Sequence, residues 1–202
     1  MFEFDYAALD LPADAVICGV DEAGRGPLAG PVCAAAVILP RGLQIDGLDD
    51  SKKLTAKRRD LLFDEITRLA VGFGIGWASV QEIDEHNILN ATYIAMNRAI
   101  AALPSQPDLC LIDGNRATGV QYENRCIIGG DGLCAEIAAA SILAKVERDR
   151  LMQTLHAQYP QYGLDKHKGY PTKAHYAALD AHGTAPIHRL SFLRKWKKGA
   201  AR

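Results

Sequence analysis

The chain has 202 residues, of which 49% are hydrophobic and 23% charged, so it can bury the core of one sizeable domain and is not intrinsically disordered. The net charge is −1, but residues 165–202 hold nine Lys and Arg against two acidic residues, whereas residues 1–164 hold fourteen against twenty-two. This asymmetry indicates a polyanionic partner bound from the C-terminal side, and a solvated basic surface would explain it equally well.

The cysteines and the apolar runs indicate in which cellular compartment the protein is expected. The five cysteines are scattered, lie mostly in apolar runs and show no CxxC spacing, which favours reduced thiols in a cytoplasmic protein. No positively charged segment begins the chain, so no signal peptide is expected. The apolar runs are too short to cross a bilayer, so we expect no membrane attachment.

The predicted elements alternate between strands and helices. In chain order, the patterns predict a loose lead-in at 1–14, strands at 15–20 and 31–39, a helix at 55–70, a strand at 72–78, a two-part helical region at 79–103, strands at 109–112 and 123–128, a long helix at 135–159, a basic, aromatic loop at 162–171 and a short helix at 172–182. This order predicts an α/β fold with a mixed sheet.

The segment 20–32 is the most unusual part of the chain. Asp21 and Glu22 stand where the first strand is expected to end, and a loop with three glycines, two prolines and one arginine follows. A dinucleotide- or ATP-binding loop is not indicated, because Gly30 comes one place too late for GxGxxG and no GKS/T follows. The spacing suits a loop whose backbone closely approaches a sugar or a phosphate.

Two further acids share this setting. Asp113 closes a short apolar strand, and Asp131 lies between glycines just before the long helix. Acids at strand ends of an α/β sheet can converge on one edge, where such folds bind ligands. Four carboxylates together repel one another unless cations neutralise them, and Mg²⁺ or Mn²⁺ prefers oxygen ligands. Two such ions would suit the hydrolysis of a phosphodiester.

This interpretation carries one condition and one alternative. Neighbouring residues of a regular strand point to opposite faces, so Asp21 and Glu22 can share a metal centre only if the strand bends or ends there. Each acid taken alone could be an ordinary turn or cap residue. It is the set of four that favours a metal site.

Six motifs, in this order along the chain, closely resemble those of the bacterial ribonuclease HII family, the type 2 ribonucleases H. They are DEAGRGPLAGPV at 21–32, DSKKL at 50–54, IDGN at 112–115, GD at 130–131, IAAASILAKVERD at 137–149 and GYPT at 169–172. The match runs from about residue 15 to residue 192 and is specific as a set, although no single motif would be.

The resemblance implies a ribonuclease H-like fold, with a mixed five-stranded sheet flanked by helices and a small C-terminal helical extension. It implies a catalytic domain at 1–160 and a basic extension at 161–202 packed on it. The implied activity is metal-dependent cleavage of RNA in RNA–DNA hybrids and incision 5′ to single ribonucleotides embedded in duplex DNA, with 3′-hydroxyl and 5′-phosphate products. The protein is expected to act as a monomer. Its activity would support removal of misincorporated ribonucleotides.

The resemblance also implies roles for particular residues. Asp21, Glu22, Asp113 and Asp131 match the family's catalytic, metal-binding acids. The loop Gly24-Arg25-Gly26 matches the segment that contacts the ribose 2′-OH, the group that distinguishes RNA from DNA. Tyr170 matches a tyrosine that packs on the sugar of the adjoining deoxynucleotide, although core packing beside Tyr176 is the alternative. Phosphate or duplex contacts are expected at Ser51, Lys52, Lys53, Lys145, Arg148, His167, Lys168 and the 194–198 cluster, although solvated charge on the helix surface is the alternative for Lys145 and Arg148.

The sequence departs from the family at two places. Glu136 precedes the IAAAS run where a small or neutral residue is usual, so it would alter metal affinity or face solvent. The proline expected after Ser191-Phe192 is absent, so the path of the C-terminal tail is not predicted.

Two other functions stay open at this point: a non-catalytic hybrid-binding protein, and a two-metal nuclease for another structure, such as a DNA-junction resolvase.

Overall fold

The computed structural model of the protein describes residues 2, 4–194 and 196. Its centre is a five-stranded sheet with the strand order β3-β2-β1-β4-β5. The strands are β1 (Ile17–Ala23), β2 (Val32–Ile38), β3 (Gly72–Ala78), β4 (Leu109–Asp113) and β5 (Asn124–Ile127). β1, β2 and β3 pair antiparallel, whereas β4 runs parallel to both β1 and β5. The prediction of a mixed sheet is therefore confirmed.

Within the described residues, the α-helices that flank or extend this sheet are α1 (Ala56–Leu69), α2 (Val80–Ala101), α3 (Ala135–Gln158), α4 (Leu164–His167) and α5 (Lys173–His182). The two-part helical region is confirmed, because α2 is interrupted at Asn87, whose φ is 66° and ψ is 165°. The predicted loop at 162–171 contains α4, which differs from the prediction. This single turn is bounded by Gly163 and Lys168 in left-handed conformations and is too short to produce a periodic pattern.

The lead-in is more ordered than predicted. Residues Tyr6–Leu9 form a 3-10 turn, and Leu9 is buried in a small core with Ile17, Leu111 and Ile137. The prediction of a loose segment is wrong here, because a turn of only four residues is too short to give a periodic signal although Leu9 anchors it.

The two faces of the sheet are covered differently. The face carrying Cys18, Val20 and Ala34 packs on α2, and the opposite face packs on α1 and α3. Along β3, Gly74, Gly76 and Ala78 alternate with larger residues, and an added Cβ at Gly76 would lie 2.1 Å from the carbonyl oxygen of Ala95 in α2. The backbones of β3 and α2 therefore touch directly.

This contact gives the first prediction. Gly76→Ala should lower the free energy of unfolding by about 1–3 kcal/mol, because α2 must move away from the sheet to admit the methyl group. Urea unfolding followed by circular dichroism measures the change. Gly132→Ala is the matched control, since a Cβ there meets nothing within 4 Å. Equal stability of the two variants would contradict the close packing of β3 on α2.

The C-terminal elements form a separate hydrophobic core against the rest of the chain. Leu179 of α5 and Leu193 pack with Leu28 of the glycine-rich loop and Met152 near the end of α3. In addition, Ala29 and His188 form an isolated antiparallel bridge. The loop at 24–31 is thus held between the sheet and the C-terminal segment.

Two expectations about location can be compared with the structure. Within the described part of the chain, no helix combines the length and apolar character needed to cross a membrane. All five cysteines are free thiols, and four of them are buried.

Candidate metal centre and sugar-reading loop

Three carboxylates meet at one edge of the sheet. β1 and β4 are parallel with Val20 opposite Ile112, so the next residues, Asp21 and Asp113, lie side by side on the face covered by α3. Asp131 joins them from the 3-10 turn Gly130–Gly132, directly before α3. Each of the three residues offers one carboxylate oxygen, and these oxygens all lie within 4.8 Å of one another.

The electrostatics of these acids fit a cation site. Burial, followed by the charges of Glu22 and Asp113, raises the pKa of Asp21 well above its usual value. Burial and the charge of Asp131 likewise raise the pKa of Asp113. The ammonium of Lys52 lies 2.8 Å from Asp131 Oδ2 and supplies one positive charge. Clustered, partly buried oxygens of this kind are the donor set that hard divalent ions prefer.

Backbone N–H groups orient two of the three carboxylates. The N–H of Glu22 donates to Asp21 Oδ1 at 2.7 Å, and the N–H of Gly130 donates to Asp113 Oδ1 at 2.8 Å. Each residue therefore has one oxygen held by the backbone, which fixes the direction of the other.

Glu22 is not a member of this cluster. The strand β1 continues through Ala23 and pairs Asp21 with Ala35 and Glu22 with Ala34, so the pleat directs the two acids to opposite faces. The Glu22 carboxylate lies 3.4 Å from the Arg25 guanidinium. The condition stated from the sequence, a bend or end of the strand at these residues, is therefore not met, and the metal-ligand role of Glu22 stays a prediction.

The loop Gly24-Arg25-Gly26 faces Tyr170. Gly24 is buried with φ +97°, and Arg148 packs beneath it; Arg25 and Gly26 are exposed. An added Cβ at Gly26 would lie 3.5 Å from Cε1 of the Tyr170 ring. The Tyr170 side chain is 43% exposed, which argues against the alternative of core packing beside Tyr176.

The three residues expected at phosphates have different surroundings. Ser51 is buried, and its hydroxyl hydrogen-bonds the hydroxyl of Ser141 at 2.7 Å, so it does not face solvent. Lys52 extends over the acids, as described above. Lys53 is exposed and pairs with Asp49 at 3.1 Å. Two of the three side chains are therefore exposed to an approaching phosphate.

The prediction that Arg148 contacts phosphate is wrong. Its side chain is 1% exposed and donates to the carbonyls of Pro31, Lys168 and Ala29 at 3.1–3.3 Å. Helical periodicity could not reveal this, because the carbonyls that bind the guanidinium come from distant loops.

The other basic residues predicted to contact the duplex either bond to groups of the protein itself or lie outside the described residues. Lys145 pairs with Asp149 at 2.7 Å. The Nε2 of His167 hydrogen-bonds the Tyr162 carbonyl at 2.8 Å, and Lys168 donates to the Asp165 carbonyl. Of the 194–198 cluster, Lys195, Lys197 and Lys198 lie outside the described residues.

Glu136 neither faces solvent nor joins the acids. It is 8% exposed, and its carboxylate accepts hydrogen bonds from the Tyr6 hydroxyl and, at 3.2 Å, from the Cys134 thiol. Together with Ile17 at the start of β1, it lines a cavity of about 920 Å³, at the end of the strand away from Asp21. The expectation that Glu136 faces solvent is wrong, because Tyr6 of the lead-in covers it, and its effect on metal affinity stays a prediction.

Two buried histidines behind Tyr170 were not anticipated. His188 Nδ1 accepts from the N–H of Ala185 at 2.9 Å, so its Nε2–H donates to His175 Nε2 at 3.2 Å. The other nitrogen of His175, Nδ1, then donates to the Tyr170 carbonyl at 3.1 Å. Both rings are neutral in this chain of bonds. Their sequence spacing of thirteen residues matches no metal or catalytic motif, so no signal pointed to them.

These histidines predict an acid-sensitive fold. Burial lowers the pKa of His188 to about 4 and also lowers that of His175. The unfolded chain therefore binds protons that the folded chain excludes, and stability present above pH ~6.5 is lost as the pH falls towards 4. For His188 the loss should be on the order of 3 kcal/mol.

The measurement is urea unfolding at pH 7.5 and 4.5 for the parent protein and for His188→Gln. The glutamine variant cannot gain a proton, so it should lose less stability on acidification. An unchanged pH dependence would show that His188 is not held neutral in the folded protein.

Comparisons with known proteins agree with this arrangement. Residues 18–195 match the family model described as Ribonuclease HII. The chain is 56% identical to a ribonuclease HII of Dechloromonas aromatica over 177 residues, covering 88% of this chain and 90% of that one. It is 55% identical to a ribonuclease HII of Burkholderia mallei over 186 residues, covering 92% and 87%.

Solved structures share the fold. The ribonuclease H2 of Pyrococcus horikoshii superposes with a TM-score of 0.77 at 27% identity, covering 93% of this chain and 99% of that one. Bst-RNase HIII in complex with Mn²⁺ superposes with a TM-score of 0.72 at 19% identity, covering 97% and 72%. The ribonuclease H-like fold expected from the sequence is therefore confirmed.

Proposed function

This chain belongs to the ribonuclease HII family of endonucleases that cleave RNA in RNA–DNA hybrids, and we propose that it also incises duplex DNA 5′ to a single embedded ribonucleotide. The products would carry 3′-hydroxyl and 5′-phosphate ends, and the activity would support removal of misincorporated ribonucleotides. The observation that supports this proposal is the carboxylate cluster of Asp21, Asp113 and Asp131, because Asp21 lies on the strand β1 that leads directly into the loop facing Tyr170.

Asp21, Asp113 and Asp131 would hold the divalent cation, and we propose Mg²⁺ or Mn²⁺ in a two-ion site to which Glu22 contributes. When bound, such ions supply Lewis-acid activation of the attacking water and stabilisation of the leaving oxygen. The backbone N–H groups of Glu22 and Gly130 hold the carboxylates in place for this role. Lys52 stands over Asp131, where it can contribute positive charge beside the scissile phosphate.

We assign substrate recognition to the loop and its surroundings. The backbone of Gly24, Arg25 and Gly26, of which the last two residues are exposed, would contact the ribose 2′-OH, which both donates and accepts hydrogen bonds. The exposed ring of Tyr170 would pack on the neighbouring deoxyribose. Lys52 and Lys53 would contact phosphates, and Ser51 would contribute through its backbone, since its hydroxyl is bonded to Ser141.

The organisation of the molecule is also a proposal. Residues 1–160 would form the catalytic domain and 161–202 the extension, since a 3-10 turn that begins at Pro160 directly follows the long helix α3. A cytoplasmic location is supported by five free cysteines. We propose that the protein acts as a monomer, which sedimentation at assay concentrations would test.

The central test is an incision assay with Mg²⁺ and with Mn²⁺. Substrates are a DNA duplex with one ribonucleotide, the same duplex without it, and an RNA–DNA hybrid. Incision on the 5′ side of the ribonucleotide is expected, and ligation of the nicked product by a ligase that requires a 3′-hydroxyl and a 5′-phosphate reports the ends. Equal cutting of the all-DNA duplex would favour a general two-metal nuclease, and binding without turnover a hybrid-binding protein.

A further inference from the structure

We propose that Arg189 is a positioning residue for ribonucleotide recognition, because its guanidinium fixes the backbone of residues 24–27 in the conformation that can contact a 2′-OH. This inference rests on the proposed role of that loop. It adds a residue from the far end of the chain that neither the sequence motifs nor the acids indicate.

The guanidinium makes four hydrogen bonds, all to backbone carbonyls of the loop. Nη2 donates to Gly24 at 2.7 Å, and Nη1 donates to Arg25 at 3.0 Å and to Pro27 at 2.8 Å. Nε donates to Gly30 at 2.8 Å. The side chain has no exposed surface. A planar group with five N–H donors in a fixed fork is suited to holding several acceptors at once.

These bonds determine where the loop's N–H groups point. In a trans peptide the C=O and the following N–H have opposite directions. Holding the carbonyls of Gly24 and Arg25 inward therefore directs the N–H groups of Arg25 and Gly26 outward. Within the described residues, neither of these two N–H groups has a hydrogen-bond partner, whereas the N–H of Leu28 donates to the Gly169 carbonyl at 2.8 Å. The loop thus presents two free donors to an approaching sugar.

Arg189 is itself held firmly. Its N–H donates to the Leu28 carbonyl at 2.8 Å. Asp84, near the start of α2, accepts hydrogen bonds from the N–H groups of Leu190 and Ser191, both at 2.9 Å. The guanidinium also lies 5.3 Å from the centre of the Phe192 ring. The segment 188–192 therefore acts as a fixed support for the loop.

The same segment supports the other side of the proposed sugar site. His188, next to Arg189, connects through His175 to the carbonyl of Tyr170. Consecutive residues thus hold the loop and the backbone of Tyr170 at a defined separation. A change at Arg189 should alter recognition of the sugar more than binding of the surrounding duplex, whose phosphates contact other residues.

The test compares affinities without turnover. Binding of the full-length protein to a duplex with one ribonucleotide and to the matched all-DNA duplex is measured by fluorescence anisotropy with Ca²⁺. For Arg189→Lys we expect the preference for the ribonucleotide to fall about tenfold, because an ammonium with three donors cannot hold four carbonyls. Affinity for the all-DNA duplex should change less than about twofold, since it rests on phosphate contacts.

Two further variants keep the inference testable if Arg189→Lys folds poorly. Asp84→Ala releases the 190–191 turn while keeping the arginine, so the preference should fall by about two- to threefold. Leu62→Ala is the control for general destabilisation, because Leu62 is buried in the core between the sheet, α1 and α3, which includes no residue of the loop at 24–31. It should lower the melting temperature and leave the preference unchanged.

The outcomes separate this inference from the function on which it rests. If the parent protein itself shows no preference for the ribonucleotide, the proposed recognition role of the loop fails. If the parent shows the preference and both Arg189→Lys and Asp84→Ala retain it within about twofold, the positioning role of Arg189 is overturned while the proposed function stands.

Discussion

Asp113→Asn is expected to lower the rate of hydrolysis by roughly 10³-fold, equivalent to about 4 kcal/mol in the activation barrier. Asparagine keeps an oxygen that can accept the 2.8 Å hydrogen bond from Gly130, so the local fold is retained and the negative charge alone is removed. In EDTA the variant should unfold at a higher urea concentration than the parent. The reason is that burial and the charge of Asp131 both disfavour the ionised Asp113, whose pKa they raise.

Loss of activity together with a gain in stability is the signature of a site arranged for a cation. Asp64→Asn, on the exposed side of α1, is the control and should change neither quantity. A variant that kept its activity would remove Asp113 from the metal site. One that lost stability would show that Asp113 has a structural role instead.

Gly26→Ala is expected to fold normally and to lose more than about 10²-fold in kcat/KM on the single-ribonucleotide duplex, mainly through KM. In the free protein the new methyl group would make an ordinary contact with the Tyr170 ring at 3.5 Å, so the free energy of unfolding should change by less than about 0.5 kcal/mol. The methyl group nevertheless fills the space in which we propose the sugar to lie. Mn²⁺ binding, measured by calorimetry, should be unchanged.

Gly24→Ala provides the contrast in the same loop. Its φ is +97°, and an added Cβ would lie 1.9 Å from Nε of Arg148, so this variant should lose stability as well as recognition. If Gly26→Ala instead lost metal binding in parallel with recognition, the two functions of the segment 20–32 would not be separable.

The parts of this molecule that follow local patterns were accessible from the sequence. Apolar runs located all five strands, and capping residues located α1 and α5, because both signals depend only on neighbouring residues. The convergence of Asp21 and Asp113 was also predictable, since strand ends in an α/β sheet share an edge.

The features that local patterns could not give depend on residues far apart in the sequence. Glu22 adjoins Asp21, but the register of β1 with β2 continues past both residues and directs their side chains to opposite faces, so the metal-ligand role of Glu22 stays a prediction. Arg148 was assigned to the surface because it lies on a long helix, yet loop carbonyls bury it. No pattern in the residues around 189 indicates that their hydrogen-bond partners lie near residue 24.

The bonds between Arg189 and the loop also have a consequence for synthesis of the chain. They join residues 165 positions apart, whereas the acids Asp21, Asp113 and Asp131 are all made before residue 132. A chain emerging from the ribosome thus exposes the three acids of the candidate metal site well before Arg189, the proposed support of the loop, has been made. The four hydrogen bonds of Arg189 to the loop can form only after residue 189 has been translated, so a product terminated before that residue would retain the acids and lack this support of the loop.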